Sequence, residues 1–138
     1  MPKGTNLLLV EDSIEDITLI LAVFEEEKIA VNIKVARDGE EAMKLLLESD
    51  QIDLILLDLN LPKKDGREVL LEMKSIPRLR SIPVVILTTS EAEEDILRSY
   101  QLQASCYVTK PINFDQFVKI VKSIDDFWFS AVRFPPRQ

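Results

Sequence analysis

The chain has 138 residues, with 24 acidic side chains against 17 basic ones and a formal net charge of -7; this length suits one domain with a sizeable core. The acidic balance argues against nucleic acid, whose phosphates need clustered Lys and Arg, and against acidic membrane surfaces. With no histidine and a single cysteine, Cys106, the chain has no Ser-His-Asp triad, no His-ligated zinc and no internal disulfide.

Residues 1 to 6 lack the apolar centre of a signal peptide. The longest apolar run, Ile17 to Phe24, is interrupted by Thr18 and falls short of the ~18 residues that cross a bilayer, so a soluble cytoplasmic protein is expected. Leu7 to Val10 form a short strand that stops at Glu11-Asp12-Ser13, after which Ile14, Ile17, Leu21 and Phe24 recur at helical spacing. Val31, Ile33 and Val35 alternate as a second strand; Asp38-Gly39 punctuates it, and Ala42, Leu45 and Leu46 line a second helix. Leu54 to Leu57 are apolar without alternation, as in a central strand buried on both faces, and the run stops at Asp58.

Pro62 and Gly66 bound a polar loop, and Val69, Leu70 and Met73 mark a short helix closed by Pro77. Pro83 opens a fourth strand, Val84 to Leu87, which runs into Thr88-Thr89-Ser90. Ser90 with Glu93 reads as a capping box for a fourth helix through about Tyr100. Cys106, Tyr107 and Val108 form a fifth strand, where Cys106 reads as packing; Lys110-Pro111 ends it. Asn113 with Gln116 then opens a last helix carrying Phe114, Phe117, Val121, Ile124 and Trp128.

Five strands alternating with five helices predict a flavodoxin-like, doubly wound (βα)5 parallel sheet in three α/β/α layers, with strand order 2-1-3-4-5. That order makes strands one and three neighbours and brings Glu11, Asp12 and Asp58 into one crevice at the carboxyl ends of the strands. Three adjacent carboxylates either raise a pKa or hold a cation. Mg²⁺, which takes a few carboxylates, a carbonyl and waters, is the expected ligand, with Asn60 offering the backbone carbonyl. Lys110 and Thr88 end neighbouring strands on the same rim. With Mg²⁺ and Lys110 neutralising the carboxylates, a phosphoryl group is tolerated beside a nucleophilic Asp58. Simpler roles stand beside these: Asp12 and Ser13 as caps of the first helix with Glu15 or Asp16 completing a box, Thr88 to Ser90 as a helix start, and Tyr107 as strand packing.

Taken together and in order, these motifs resemble the response-regulator receiver domain of two-component signalling over nearly the whole chain. The resemblance implies that Asp58 is the phosphoacceptor for a histidine kinase, that Glu11 and Asp12 are the acidic metal pair with Asp58 and the Asn60 carbonyl, and that Lys110 binds the phosphoryl group. It implies that Thr88 follows a phosphoryl oxygen inward, that Tyr107 changes rotamer with it, and that Lys110-Pro111 is a cis peptide. Such a protein is a switch, not a turnover enzyme. Two positions depart from the family pattern: Thr89 stands where Ala or Gly is usual, which narrows access for small donors or water, and Gln103-Ala104 stands where Gly-Ala is common.

The tail Ile124-Asp125-Asp126-Phe127-Trp128-Phe129, with Phe134-Pro135-Pro136, is similar to stand-alone receivers paired with cyanobacterial phytochrome histidine kinases. It implies a homodimer through the face formed by the fourth helix, fifth strand and fifth helix and through the C-terminal extension, with Tyr100, Tyr107, Phe127, Trp128, Phe129 and Phe134 as the candidate surface. A receiver over residues 1–129 with an extension at 130–138 and no separate output domain is expected. Two other classes compete. A haloacid-dehalogenase-type phosphatase also uses an aspartate nucleophile, but resembles D-x-D after its first strand, whereas Asp58-Leu59-Asn60 follows the third. A flavin module needs a Ser/Thr/Gly-rich loop where Glu11-Asp12 stands.

Overall fold

Five parallel strands form one sheet in the order β2-β1-β3-β4-β5, as the alternation of strands and helices predicts. The computed structural model describes residues 4–49 and 51–136. The strands are β1 Thr5–Val10, β2 Val31–Ala36, β3 Leu54–Leu57, β4 Val84–Thr88 and β5 Cys106–Thr109; between and after them run α1 Ile14–Glu26, α2 Gly39–Glu48, α3 Gly66–Ser75, α4 Pro77–Arg80, α5 Glu93–Gln101 and α6 Phe114–Asp126.

Successive strand residues point to opposite faces, and both faces are covered. Leu7, Leu9, Leu54, Leu56, Val85 and Leu87 pack on Ile20, Val23 and Phe24 of α1 and on Phe117, Val121 and Ile124 of α6. Leu8, Val10, Ile55, Leu57, Val84 and Ile86 pack on Ala42, Met43 and Leu46 of α2 and on Val69, Leu70 and Met73 of α3. All four residues of β3 are buried, the signature expected of its unbroken apolar run. Only β2, at one edge, alternates between exposed and half-buried positions.

Four local expectations are corrected. Ile14 is 62% exposed, and α1 buries Ile20 and Val23 beside the expected Phe24, because the first turn starts past the end of β1. Pro77 does not merely close α3: it occupies the first turn of a further short helix, α4, a position where the missing N–H costs nothing. Ser90 is not the cap of α5. The cap is Ala92 without a side-chain bond; Ser90 Oγ donates to Asp95 Oδ2 at 2.6 Å and accepts the Ala92 N–H at 3.4 Å, in a turn that precedes the helix. No peptide bond among the described residues is cis, so Lys110-Pro111 is trans; the two X-Pro isomers differ by only about 1 kcal/mol and the residue pair alone does not choose. The Asn113 cap does form, accepting from the Gln116 N–H at 3.1 Å.

Gln103 has φ of 67°, the left-handed conformation that follows many helix ends and favours glycine. Its N–H donates to Tyr100 O and that of Ala104 to Ser99 O, both at 2.9 Å, so the helix-end turn forms with a side chain in place. Beyond α6 the backbone widens into one π-helical turn, Phe127–Ala131. Among the described residues no helix is long and apolar enough to cross a membrane.

Candidate functional site

The strand ladders run one residue past the strands at the carboxyl rim, and this fixes the site. Glu11 N–H donates to Ala36 O at 2.9 Å, Asp58 N–H to Val10 O at 3.0 Å and Lys110 N–H to Thr88 O at 2.6 Å. Each functional residue is thus held by its neighbouring strand before its side chain contributes anything. Gly66, first in α3, lets that helix abut the acidic loop: a Cβ there would lie 2.2 Å from Asp58 O.

The side chains converge as the strand order requires. One carboxylate oxygen each from Glu11, Asp12 and Asp58 lie within 4.8 Å of one another. Glu11, Asp58 and Lys110 are 2%, 7% and 7% exposed, whereas Asp12 faces solvent. The Lys110 ammonium donates to Glu11 Oε1, to Asp16 Oδ2 at 2.8 Å and to Asp58 Oδ2 at 3.1 Å. Asp58 Oδ1 accepts the Asn60 N–H at 3.2 Å, and Glu11 Oε2 accepts that of Ser13 at 3.2 Å.

Burial pushes the Glu11 carboxyl up to about 7, against the opposing pull of Lys110. For Lys110, burial alone would lower the ammonium, but hydrogen bonds to Asp16 and Glu11 and the charge of Asp58 more than offset it and hold it above the usual lysine range. An all-oxygen set of three carboxylates is suited to a hard divalent cation, which favours carboxylate and carbonyl donors and offsets their mutual repulsion.

Thr88 is fully buried. Its hydroxyl accepts from Asn60 Nδ2 at 3.5 Å and from Ser90 N–H at 3.4 Å, which places it beside the Asp58 turn. Tyr107 is half-buried and donates its hydroxyl to Ser90 O at 3.0 Å, so Thr88 and Tyr107 meet at one residue. Thr89 is exposed and lines a cavity of about 300 Å³ beside Lys110 and Pro111.

Two groups of residues escaped the sequence reading. Asp16 was legible only as a cap; Ser13 Oγ does accept its N–H at 3.3 Å, but its carboxylate turns to Lys110 rather than back to Ser13. The second group is a clasp in which Arg67 donates to Asp95 through Nε at 2.8 Å and Nη2 at 2.7 Å. Arg67 also donates to the α3 cap Asp65. Hydrogen bonds from Arg67 and Ser90 bring the Asp95 carboxyl down to about 2. No spacing rule links positions 28 residues apart, so this pair had no signal in the sequence.

The candidate association surface is divided. Tyr100 and Phe127 are 48% and 57% exposed, and the Tyr100 hydroxyl accepts the Tyr107 N–H at 3.2 Å, covering a donor of the edge strand. Trp128, Phe129 and Phe134 instead pack partly buried against the chain's own α1/α6 core. Phe129 meets Phe24 edge-on at 5.4 Å, and Trp128 stacks on Phe134 at 6.2 Å.

Comparison with known proteins agrees with this geometry. Response regulator Rcp1 of Synechocystis sp. is 46% identical over 135 residues, spanning 94% of this chain and 92% of Rcp1. A crystal structure of the Mn²⁺-bound form of Rcp1 superposes with a TM-score of 0.92 at 46% identity, covering 96% of this chain and 99% of that one. The phosphorylated cyanobacterial phytochrome response regulator RcpA matches with a TM-score of 0.92 at 47% identity and the same coverage. Nothing in these likenesses favours a dehalogenase-type phosphatase, whose second carboxylate is replaced here by Asn60. The family described as the response regulator receiver domain matches residues 7–122, and with the acidic rim, the 2-1-3-4-5 sheet and these relatives in agreement, the chain belongs to that family.

Proposed function

We propose that Asp58 is the phosphoacceptor of a two-component switch, charged by the phosphohistidine of a histidine kinase in a Mg²⁺-dependent reaction. The observation that carries this reading is the convergence of Glu11, Asp12 and Asp58 around one cation-sized space with Lys110 ion-paired to Asp58. An Asp58 oxygen forms the new O–P bond, the P–N bond of the phosphoramidate breaks, and the electron pair stays on the imidazole nitrogen, which takes up a proton. Glu11, Asp12, Asp58 and the Asn60 carbonyl would hold the Mg²⁺, which would supply charge neutralisation for the transferring group. Lys110 binds a phosphoryl oxygen. Thr88 then follows that oxygen and Tyr107 responds, which passes the state to the face made by α5, β5 and α6. The protein acts as a switch in the cytoplasm and turns over no substrate beyond its own phosphoryl group.

The likeness to Rcp1 and RcpA supports a phytochrome as the partner kinase. Exposed Tyr100 and Phe127, the latter lining an apolar groove with Val108, Ile120, Ile124 and Trp128, support a homodimer through this face, with residues 1–129 as the receiver and 130–138 as an extension. Transfer of label from a phosphorylated histidine kinase or a small phosphodonor tests the chemistry: wild type takes label with Mg²⁺ and loses that ability in EDTA or as Asp58→Asn. Label that survives either change overturns the assignment. Sedimentation at tens of micromolar tests association, and a monomer with and without a phosphate mimic removes the dimer.

A further inference from the structure

The Lys110 ammonium has three donors, and each goes to a different carboxylate: Glu11, Asp16 and Asp58. Two of those three, Glu11 and Asp58, also belong to the group whose oxygens converge on the cation-sized space; Asp16 does not. The same two carboxylates therefore face competing claims from an ammonium and from a divalent cation. Asp16 differs in its surroundings as well. Its side chain is 26% exposed, against 3% for Glu11 and 8% for Asp58, and it sits with Lys110 in the wall of the rim cavity. Its backbone is anchored by the Ser13 cap, so the carboxylate is presented at a fixed height on the first turn of α1.

We propose that Asp16 is a positioning residue of this site: its carboxylate holds the Lys110 ammonium toward the outer rim, so that Glu11 and Asp58 are released to a divalent cation without losing the lysine. The inference rests on the receiver-site reading above and adds a role for a residue outside the acidic pair. Without Asp16, Lys110 turns wholly onto Glu11 and Asp58 and competes with the cation for them. A simpler role is available to any first-turn carboxylate, which interacts favourably with the helix N-terminus. Glu15 provides the control: it has the same charge on the same turn, lines the same cavity and is exposed.

Calorimetric titration of Mn²⁺ into the purified full chain tests this without reference to phosphorylation. Asp16→Asn weakens Mn²⁺ binding about fivefold, whereas Glu15→Gln changes it less than about twofold. In a Lys110→Ala background the Asp16→Asn effect shrinks below about twofold, because there is no ammonium left to hold. Asp16→Glu, which keeps the charge on a longer stem, stays within about twofold of wild type and carries the test if Asn disturbs the first turn. Equal weakening with and without Lys110, or no weakening in Asp16→Asn, overturns the proposal while leaving the receiver site standing. Wild type that binds no Mn²⁺ removes the underlying reading and this inference with it.

Discussion

The carboxyl rim of the sheet and the aromatic end of α6 are built on opposite terms. At the rim, charged side chains from three separate stretches meet, and the buried ones are tolerable only because Lys110 is shared among Glu11, Asp16 and Asp58. At the aromatic end, Phe127 meets Trp128, Trp128 stacks on Phe134, and Phe129 meets Phe24. Removing one group from the rim leaves other charges buried without a partner; removing one ring from the end loses contact area alone. On this contrast the rim is expected to be coupled and to respond to cations, and the aromatic end to be local and indifferent to them.

The sharpest way to break this contrast is Lys110→Ala. In EDTA it should destabilise the protein by about 3 kcal/mol, since it strands buried Glu11 and Asp58, and Mg²⁺ should restore much of the loss in urea titrations. A loss that ignores Mg²⁺ would place Lys110 with the ordinary packing residues. Trp128→Ala should cost about 2 kcal/mol through lost ring and core contacts, equally in EDTA and in Mg²⁺; a cation-dependent cost would show that the two regions are coupled after all.

A pH series sharpens the rim side of the comparison. Burial raises Glu11 to about 7 in the folded protein, above the value of about 4.3 for an unperturbed side chain. The folded state therefore holds a proton there that the unfolded chain releases. In EDTA the stability contribution of Glu11 is fully present below about 4.3 and is lost as pH rises through about 7. A divalent cation needs the carboxylate, so Mn²⁺ affinity should fall about tenfold per unit below pH 7 and level off above it. Affinity that stays flat between pH 5.5 and 7.5 would remove Glu11 from the metal pair.

The smallest effect belongs to neither region. Gln103→Gly should stabilise by about 0.5–1 kcal/mol, because it relieves a side chain held at positive φ. Equal midpoints in thermal and urea melts would show that Gln103 recovers its strain through its own contacts.

How much of the site was legible depended on how far apart its partners lie. Glu11, Asp12, Asp58, Thr88 and Lys110 each end a readable apolar run, and only their convergence needed the strand order. Asp16 stands in a helix start, where a carboxylate always has a capping role to fill, so its turn toward Lys110, 94 residues away, left no trace in local pattern. Ser90 failed in the opposite direction: the capping-box spacing was present, but its oxygen accepts the Ala92 N–H in a turn before the helix, which begins two residues later.

The amino-acid sequence by itself marked the strands, their alternation with helices and the residues of the acidic rim, because uninterrupted apolar runs fit strands of a parallel sheet covered by helices on both faces; the order came from the doubly wound topology that such alternation suggests. Tertiary structure alone decided which carboxylates share Lys110, that the Lys110-Pro111 bond is trans, and that Trp128, Phe129 and Phe134 turn inward while Phe127 stays exposed. Side-chain charge and ring orientation are settled by neighbours that are close in space and distant along the chain, and periodicity carries no information about them.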